Sequence, residues 1–393
     1  MILAIVPLIL LHWATSMVMV DDARMAALAA SPTSFQQVQS RAVLDALLAY
    51  ERSIDSIWWE QTSYLPPDAG RHRSEWVVLE VSERAVASDW SFLHLSKHRS
   101  CGAPDWIAEY DQSLFFGDAT HRVTWGVEAD QNSGMFTQPD HFFSGSCNIA
   151  RLLGRFTEYA MPMRGRSLGE ELTRATNLEY LAPTTEAPWP GLRCKGVASG
   201  GGLHVEVRVD PVHGFAPRTI LLFRSMDDMF AEGLIVLDYS LIDGVWMPRV
   251  GIQGTMYAEK VPDVENPLSQ QRVEDFAAAA TMKGLPIEIQ TPELQKWIRR
   301  FHEVSVLDAD QSLATGPLIC FNTNEQLYSP QIMIVGSCRV NEAPDRDQLF
   351  SRIPATAKMF NGMTGAWTDT AGVQRIVETL GLPDVPEIGT EQK

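Results

Sequence analysis

Between Leu203 and Arg224 the chain alternates. Leu203, Val205, Val207 and Val209 interleave with His204, Glu206 and Arg208. Successive side chains of a strand point to opposite faces, so a period of two predicts a strand with one apolar and one wet face. Asp210-Pro211 and His213-Gly214 supply a turn, and Thr219 to Arg224 a second β-rich run. A second pair follows at once. Leu234 to Leu241 and Val245 to Tyr257 flank Asp243-Gly244, a two-residue hairpin signal. These runs predict an antiparallel meander from Gly191 to Tyr257.

Elsewhere the period changes. Val43, Leu47, Tyr50, Ile54 and Ile57/Trp58 recur at helical spacing, with Ser34 as N-cap and Pro66-Pro67 as the stop. Trp58 and Trp59 then fall at the end of this helix. Glu75 to Val81 and Trp90 to Leu95 read as strands, and Lys97 to Gly145 as turns with short strands. Leu168, Leu172, Ala175 and Leu178 place a helix over Arg166 to Leu181, and Pro183 to Pro190 form a loop.

The segment from Pro262 to Asp308 breaks the meander. Val273, Phe276, Ala277 and Ala280 make a helical stripe stopped by Gly284. Thr291-Pro292-Glu293 then starts a helix with a capping hydroxyl, a first-position proline and an acid in the first turn. Leu294, Trp297, Ile298 and Phe301 are its apolar face. Strands resume near Ile319 and over Gln331 to Arg339. Thr370 caps a last helix with Val373, Ile376, Val377 and Leu380 inward and Gly381 as its stop; the tail after Pro383 reads as disordered.

Composition narrows the function classes. At 393 residues the chain is long enough for a large core. A net charge of −17 argues against nucleic acid and anionic membrane surfaces as partners. Ile2 to Val20 carry no formal charge, and Ile2 to Leu11 resemble the apolar core of a signal peptide, with Ala14-Thr15-Ser16 as the cleavage candidate. Export follows as the expectation, to the periplasm or cell envelope. An uncleaved anchor is the alternative, since 19 residues nearly span a bilayer.

Candidate chemistry is sparse. Cys101, Cys147, Cys194, Cys320 and Cys338 are odd in number and form no CxxC, so neither a disulfide scaffold nor a zinc site is read. Gly200-Gly201-Gly202 lacks the Gly-Lys-Ser/Thr ending of a phosphate loop. His121, Asp140 and His141 lack ligand spacing. Asp308 and Asp310, beside His302-Glu303, lack the glycine and terminal glutamate of a calcium loop. Ser144-Gly145-Ser146-Cys147 is not a nucleophile elbow. Cys194 between Arg193 and Lys195 is either a thiol of lowered pKa or, more simply, a small buried residue at a strand start or a disulfide partner. No catalytic residue, metal or cofactor is therefore expected.

The order of these pieces resembles the lipoprotein-carrier superfamily, the LolA/LolB/RseB-like envelope proteins, and most of all its long planctomycete-type members. The resemblance rests on a helix over Ala46 to Tyr64, on Gly191-Leu192-Arg193-Cys194, on Val205 to Ile220, on the Asp243-Gly244 turn within Ile242 to Pro248, and on Val340-Asn341-Glu342 with Leu349 to Thr364 as final strands. It covers most of residues 35 to 366. The long insertion and the extra terminal helix depart from the family.

The resemblance implies an α+β, mainly β, fold: a strongly curved antiparallel sheet, an incomplete β-barrel, with helices covering the concave side. The chain then divides into residues 1–20 as signal peptide or anchor, 34–366 as the curved-sheet domain with a helical insertion at about 262–308, and 367–393 as a C-terminal helix and tail. It further implies a non-enzymatic protein that holds a lipid, lipoprotein or other hydrophobic ligand. Membrane contact would be transient or through the N-terminal segment. The alternative is a sensor or scaffold that uses the same fold to bind an envelope protein. Trp58, Trp59, Val205, Val207, Leu222 and Trp246 are the expected ligand-lining residues.

Overall fold

The structure is a computed structural model. It describes residues 32–67, 74–86, 92–98, 107–116, 121–128, 131–137, 149–154, 167–194 except 176, 204–223, 230–257, 281–299, 330–342 and, in part, 348–379. The strand expected near Ile319, the stripe at 273–280, Phe301 and the N-terminal segment lie outside these residues. So do the glycines at 200–202, Asp140 and His141, the run at 144–147, His302-Glu303, and Asp308 and Asp310.

A helix, α1 (Pro32–Arg52), comes first. Strands β1 (Ile57–Leu65), β2 (Val77–Val86), β3 (Phe92–His98), β4 (Ile107–Phe116), β5 (His121–Glu128) and β6 (Gln131–Thr137) follow. Two short helices, α2 (Ile149–Leu152) and α3 (Leu168–Thr173), precede the meander β7 (Leu178–Leu181), β8 (Gly191–Cys194), β9 (His204–Asp210), β10 (Ala216–Phe223), β11 (Phe230–Ile242) and β12 (Val245–Tyr257). Residues 292–299 form α4. Then come β13 (Gln331–Val340), β14 (Lys358–Asn361), β15 (Ala366–Asp369) and α5 (Thr370–Thr379).

Among the described residues, fifteen strands form one sheet in the order β15-β14-β6-β5-β4-β3-β2-β1-β13-β12-β11-β10-β9-β8-β7. The sheet is open, with β15 and β7 at its edges, and every pairing is antiparallel except the parallel β14–β6. This is the expected large antiparallel sheet that stops short of a barrel. The seam lies at β1, which pairs with β2 on one side and β13 on the other.

The meander forms as its pattern predicts. Asp210 and Pro211 open a single 3-10 turn, and Gly214 closes it in the left-handed region at φ 66°. Asp243 and Gly244 have φ 49° and 84°, the doubly left-handed turn that matches strand twist. The first helix is shorter than its spacing predicts. It ends at Arg52, and Ile57, Trp58 and Trp59 belong to β1, whose burial alternates strictly. Tyr50 and Ile54 still reach the core that Ile57 enters, which is why a helical period ran on through a strand. The Arg166–Leu181 helix is likewise cut to α3, because Leu178 to Leu181 pair with β8. Lys97 to Gly145 contains β4, β5 and β6, longer strands than expected. At the last helix, Asp369 rather than Thr370 caps, its Oδ1 accepting from Gly372 N at 2.6 Å.

The two faces of the meander and of the adjoining β13 carry separate cores. On one, Leu192, Val205, Val207, Ile220, Leu222, Leu234 and Met333 meet α1, α2 and α3. On the other, Leu221, Ile235, Val250, Ile252 and Ile332 meet Leu285 and Ile289 and the α4 residues Leu294 and Ile298. All eight residues of β10 are therefore buried, rather than one face being wet.

Candidate functional site

The first face is a filled core. Trp59, Val205, Val207 and Leu222 are each fully buried there, packed under the helices. Trp246 sits half-buried at the rim. Its ring meets His213 edge-on at 4.8 Å, and its carbonyl accepts from Tyr50 Oη at 2.6 Å, which ties β12 to α1. Trp58 lies on the opposite face, as neighbours on a strand must. Its indole N–H donates to Glu83 Oε1 at 2.9 Å and its ring lies 3.8 Å beneath the Arg339 guanidinium. The six expected lining residues thus divide into four core residues, one rim residue and one on the far face.

Beside this core the same face turns polar while staying buried. Trp59 Nε1 donates to Gln61 Oε1 at 2.8 Å and Gln61 Nε2 to Ser63 Oγ at 3.2 Å. Facing them on β2, Arg84 donates to Ser82 Oγ at 3.0 Å and pairs with Glu80 at 2.7 Å. From sequence, Trp59 to Ser63 fall on a helix and the facing strand ends at Val81, so only the pairing of β1 with β2 brings these polar positions together.

The second face is covered differently. Residues 281–299, a strap inserted between β12 and β13, cross it. Trp76 Nε1 donates to the Thr281 carbonyl and Trp76 N to the Lys283 carbonyl, both at 2.9 Å. Gly284 at φ 92° lets the strap lie on the Trp76 backbone, where a Cβ would collide with the Trp76 carbonyl oxygen. Thr291 Oγ1 caps α4 by accepting from Leu294 N at 3.1 Å, as the sequence predicts. The strap does not seal its margins: Tyr64, Leu237, Trp297 and Ile334 remain half-buried around it. Burial raises the Tyr64 pKa, with Glu288 of the strap adding to the effect.

At the β8–β10 end of this face lies a group of arginines. Arg193 Nη2 donates to Glu206 Oε2 at 2.9 Å. Arg208 contacts Glu206 Oε1 at 3.4 Å and the carbonyls of Ala182 and Trp189 at 3.0 and 2.9 Å. Arg218 lies over the Trp189 ring at 4.9 Å and the Tyr239 ring at 5.7 Å, and reaches Glu293 Oε1 of the strap at 2.7 Å. Tyr239, deeply buried, has its pKa raised chiefly by desolvation and by Asp210, against the lowering effect of Arg218.

Cys194 and Cys338 are free thiols, and burial raises both, Cys338 to about 12. This overturns the lowered-pKa reading of Cys194: its strand position, not its basic neighbours, sets its acidity. His121 lies on β5. Among the described residues no group of three or more His, Cys, Asp or Glu is placed to hold a metal. Among them too, no helix is long and apolar enough to cross a membrane.

No family model matches the chain, and no curated protein matches it. Two solved structures align loosely. A DUF1329 family protein from Desulfovibrio piger aligns at TM-score 0.33 and 8% identity, over 80% of this chain and 98% of its own. A domain described as an outer membrane lipoprotein-sorting protein, from Vibrio parahaemolyticus, aligns at TM-score 0.34 and 8% identity over the same shares.

Proposed function

We propose that this chain is a non-enzymatic cell-envelope protein that holds a hydrophobic ligand, a lipid or an acylated molecule, against its sheet. The observation that carries the reading is the second apolar face. Ile235, Ile252 and Ile332 form a continuous apolar surface there, and the strap 281–299 is its cover among the described residues. Here a second apolar face lies under an inserted segment with half-exposed margins, the arrangement of a concave or slotted apolar site. Transferring acyl chain from water into such a slot is worth about 0.8 kcal/mol per CH₂, so affinity requires no catalytic group.

Native mass spectrometry of the full chain purified from its own envelope tests the reading, with lipid extraction of the same sample. A near-stoichiometric acylated species is the expected result. A mass that stays apo after incubation with laurate and with phosphatidylglycerol vesicles overturns it, and makes the protein-binding scaffold the next reading.

A further inference from the structure

The strap lies along a single line of paired residues. Register joins Arg208 of β9 to Thr219, Thr219 to Ile235, Ile235 to Ile252, Ile252 to Ile332, Ile332 to Tyr64 and Tyr64 to Val78. Directly paired residues share a face, so these seven form one lane. Five strand spacings of ~4.8 Å make it about 24 Å from Arg208 to Tyr64. It begins at charge and continues as apolar side chains.

The strap follows the lane end to end. Thr281 and Lys283 are held by Trp76, beside Val77 and Val78 at the Tyr64 end. Glu293 reaches Arg218 at the arginine end. Leu285, Ile289, Leu294 and Ile298 fill the apolar stretch. The strap thus presents a carboxylate at one end and an apolar body over the rest.

The receiving end is built for an anion. Arg193, Arg208 and Arg218 gather here, with Glu206 and Glu293 as their carboxylate partners, Glu179 opposite Arg193 and Asp210 beside Tyr239. The Arg218 side chain is 7% exposed, and its Nε has no protein partner among the described residues. Its carboxylate partner, Glu293, is 45% exposed and belongs to the strap rather than the sheet. A buried guanidinium over the Trp189 ring, hydrogen-bonded to Tyr239 and paired with a half-exposed carboxylate of the strap, has the donor chemistry that carboxylate or phosphate oxygens need.

We propose that this lane binds a long-chain anionic amphiphile, whose carboxylate or phosphate head replaces Glu293 on Arg218 while its tail replaces the strap over Ile235, Ile252 and Ile332. The inference rests on the proposed hydrophobic-ligand function and adds the head group. The strap is then an internal stand-in for the ligand, and Glu293 competes with the head group for Arg218.

Calorimetric titration of the full chain with laurate, dodecanol, dodecyl phosphate, acetate and inorganic phosphate tests it, in the native chain and in Glu293→Gln and Arg218→Gln. Laurate and dodecyl phosphate should bind at least about tenfold tighter than dodecanol, and acetate and inorganic phosphate should not saturate. Glu293→Gln removes the competitor and frees that end of the strap, so laurate should tighten by about tenfold while keeping its preference over dodecanol. Arg218→Gln, checked for a native melting transition, should erase the preference for the anion. Equal binding of laurate and dodecanol with no effect of Glu293→Gln overturns the head-group site and leaves the hydrophobic-ligand function standing. Saturation by inorganic phosphate as tight as by dodecyl phosphate also overturns it, in favour of a free-anion site. Binding of none of the long-chain probes overturns both readings.

Discussion

The Glu51 carboxylate binds the Gly169 amide. Its Oε1 accepts from Gly169 N at 2.9 Å, and its Oε2 accepts from Ser167 Oγ at 2.5 Å. Glu51 lies in the last turn of the long helix α1 and Gly169 in the first turn of the short helix α3, so one buried side chain supplies the partner that the start of α3 lacks internally. Glu51→Ala leaves Gly169 N and Ser167 Oγ buried without that acceptor, at a cost of about 1–3 kcal/mol. Urea unfolding checks it: the midpoint should fall with the slope unchanged.

Strand placement makes Trp58 and Trp59 unequal. Trp59 is fully buried, so Trp59→Ala should cost about 3–5 kcal/mol. Trp58 keeps one surface near solvent, so Trp58→Ala should cost clearly less in the same unfolding experiment. Equal losses would contradict the strand register.

Gly244 sits at φ 84° with open space where a Cβ would stand. Gly244→Ala therefore meets only backbone strain, about 1 kcal/mol, and a thermal melt should show a modest drop with native circular dichroism.

Burial makes the thiols inert and pH-sensitive. Cys338 has a native pKa of about 12 against 9.0 unfolded, so the native state holds its proton through a range where the unfolded state has lost it. Its contribution to stability is complete below pH 9 and is lost between about 9 and 12. Alkylation with iodoacetamide at pH 8, read by peptide mapping, should leave Cys194 and Cys338 unmodified until denaturant is added.

Trp76→Phe keeps the ring in the second core but removes the donor to the Thr281 carbonyl. Hydrogen exchange of the α4 amides should accelerate about fivefold, with the β9–β12 amides unchanged.

The meander was legible because its alternation and its turn residues agree: Asp243-Gly244 fixes a register that Leu234 to Leu241 and Val245 to Tyr257 then obey. The start of α4 was legible for a similar reason, since Thr291, Pro292 and Glu293 each favour the same helix end. The β1 strand was misread because Ile54 and Ile57 reach the same core as Tyr50, and spacing alone does not distinguish a turn of helix from a turn into a strand. The second core was invisible for a tertiary reason. Nothing local in Leu221, Ile235 or Ile252 says that a segment tens of residues away covers them. The arginine group was missed because its members come from β8, β9 and β10, and only register gathers them.

The seam at β1 has a consequence for biosynthesis. Its two partners, β2 and β13, are separated in the order of translation by β3 to β12, the whole meander included. At 5–20 residues per second, β1 waits on the order of tens of seconds for β13 to emerge. Throughout that interval one edge of a tryptophan-rich strand stands unpaired, the kind of edge that recruits foreign strands. Such long-range closure makes folding slow and late. The nascent chain is therefore most exposed to misassociation just before β13 emerges, and a holdase that shields β1 during synthesis would raise the yield of native protein more than one acting on the finished chain.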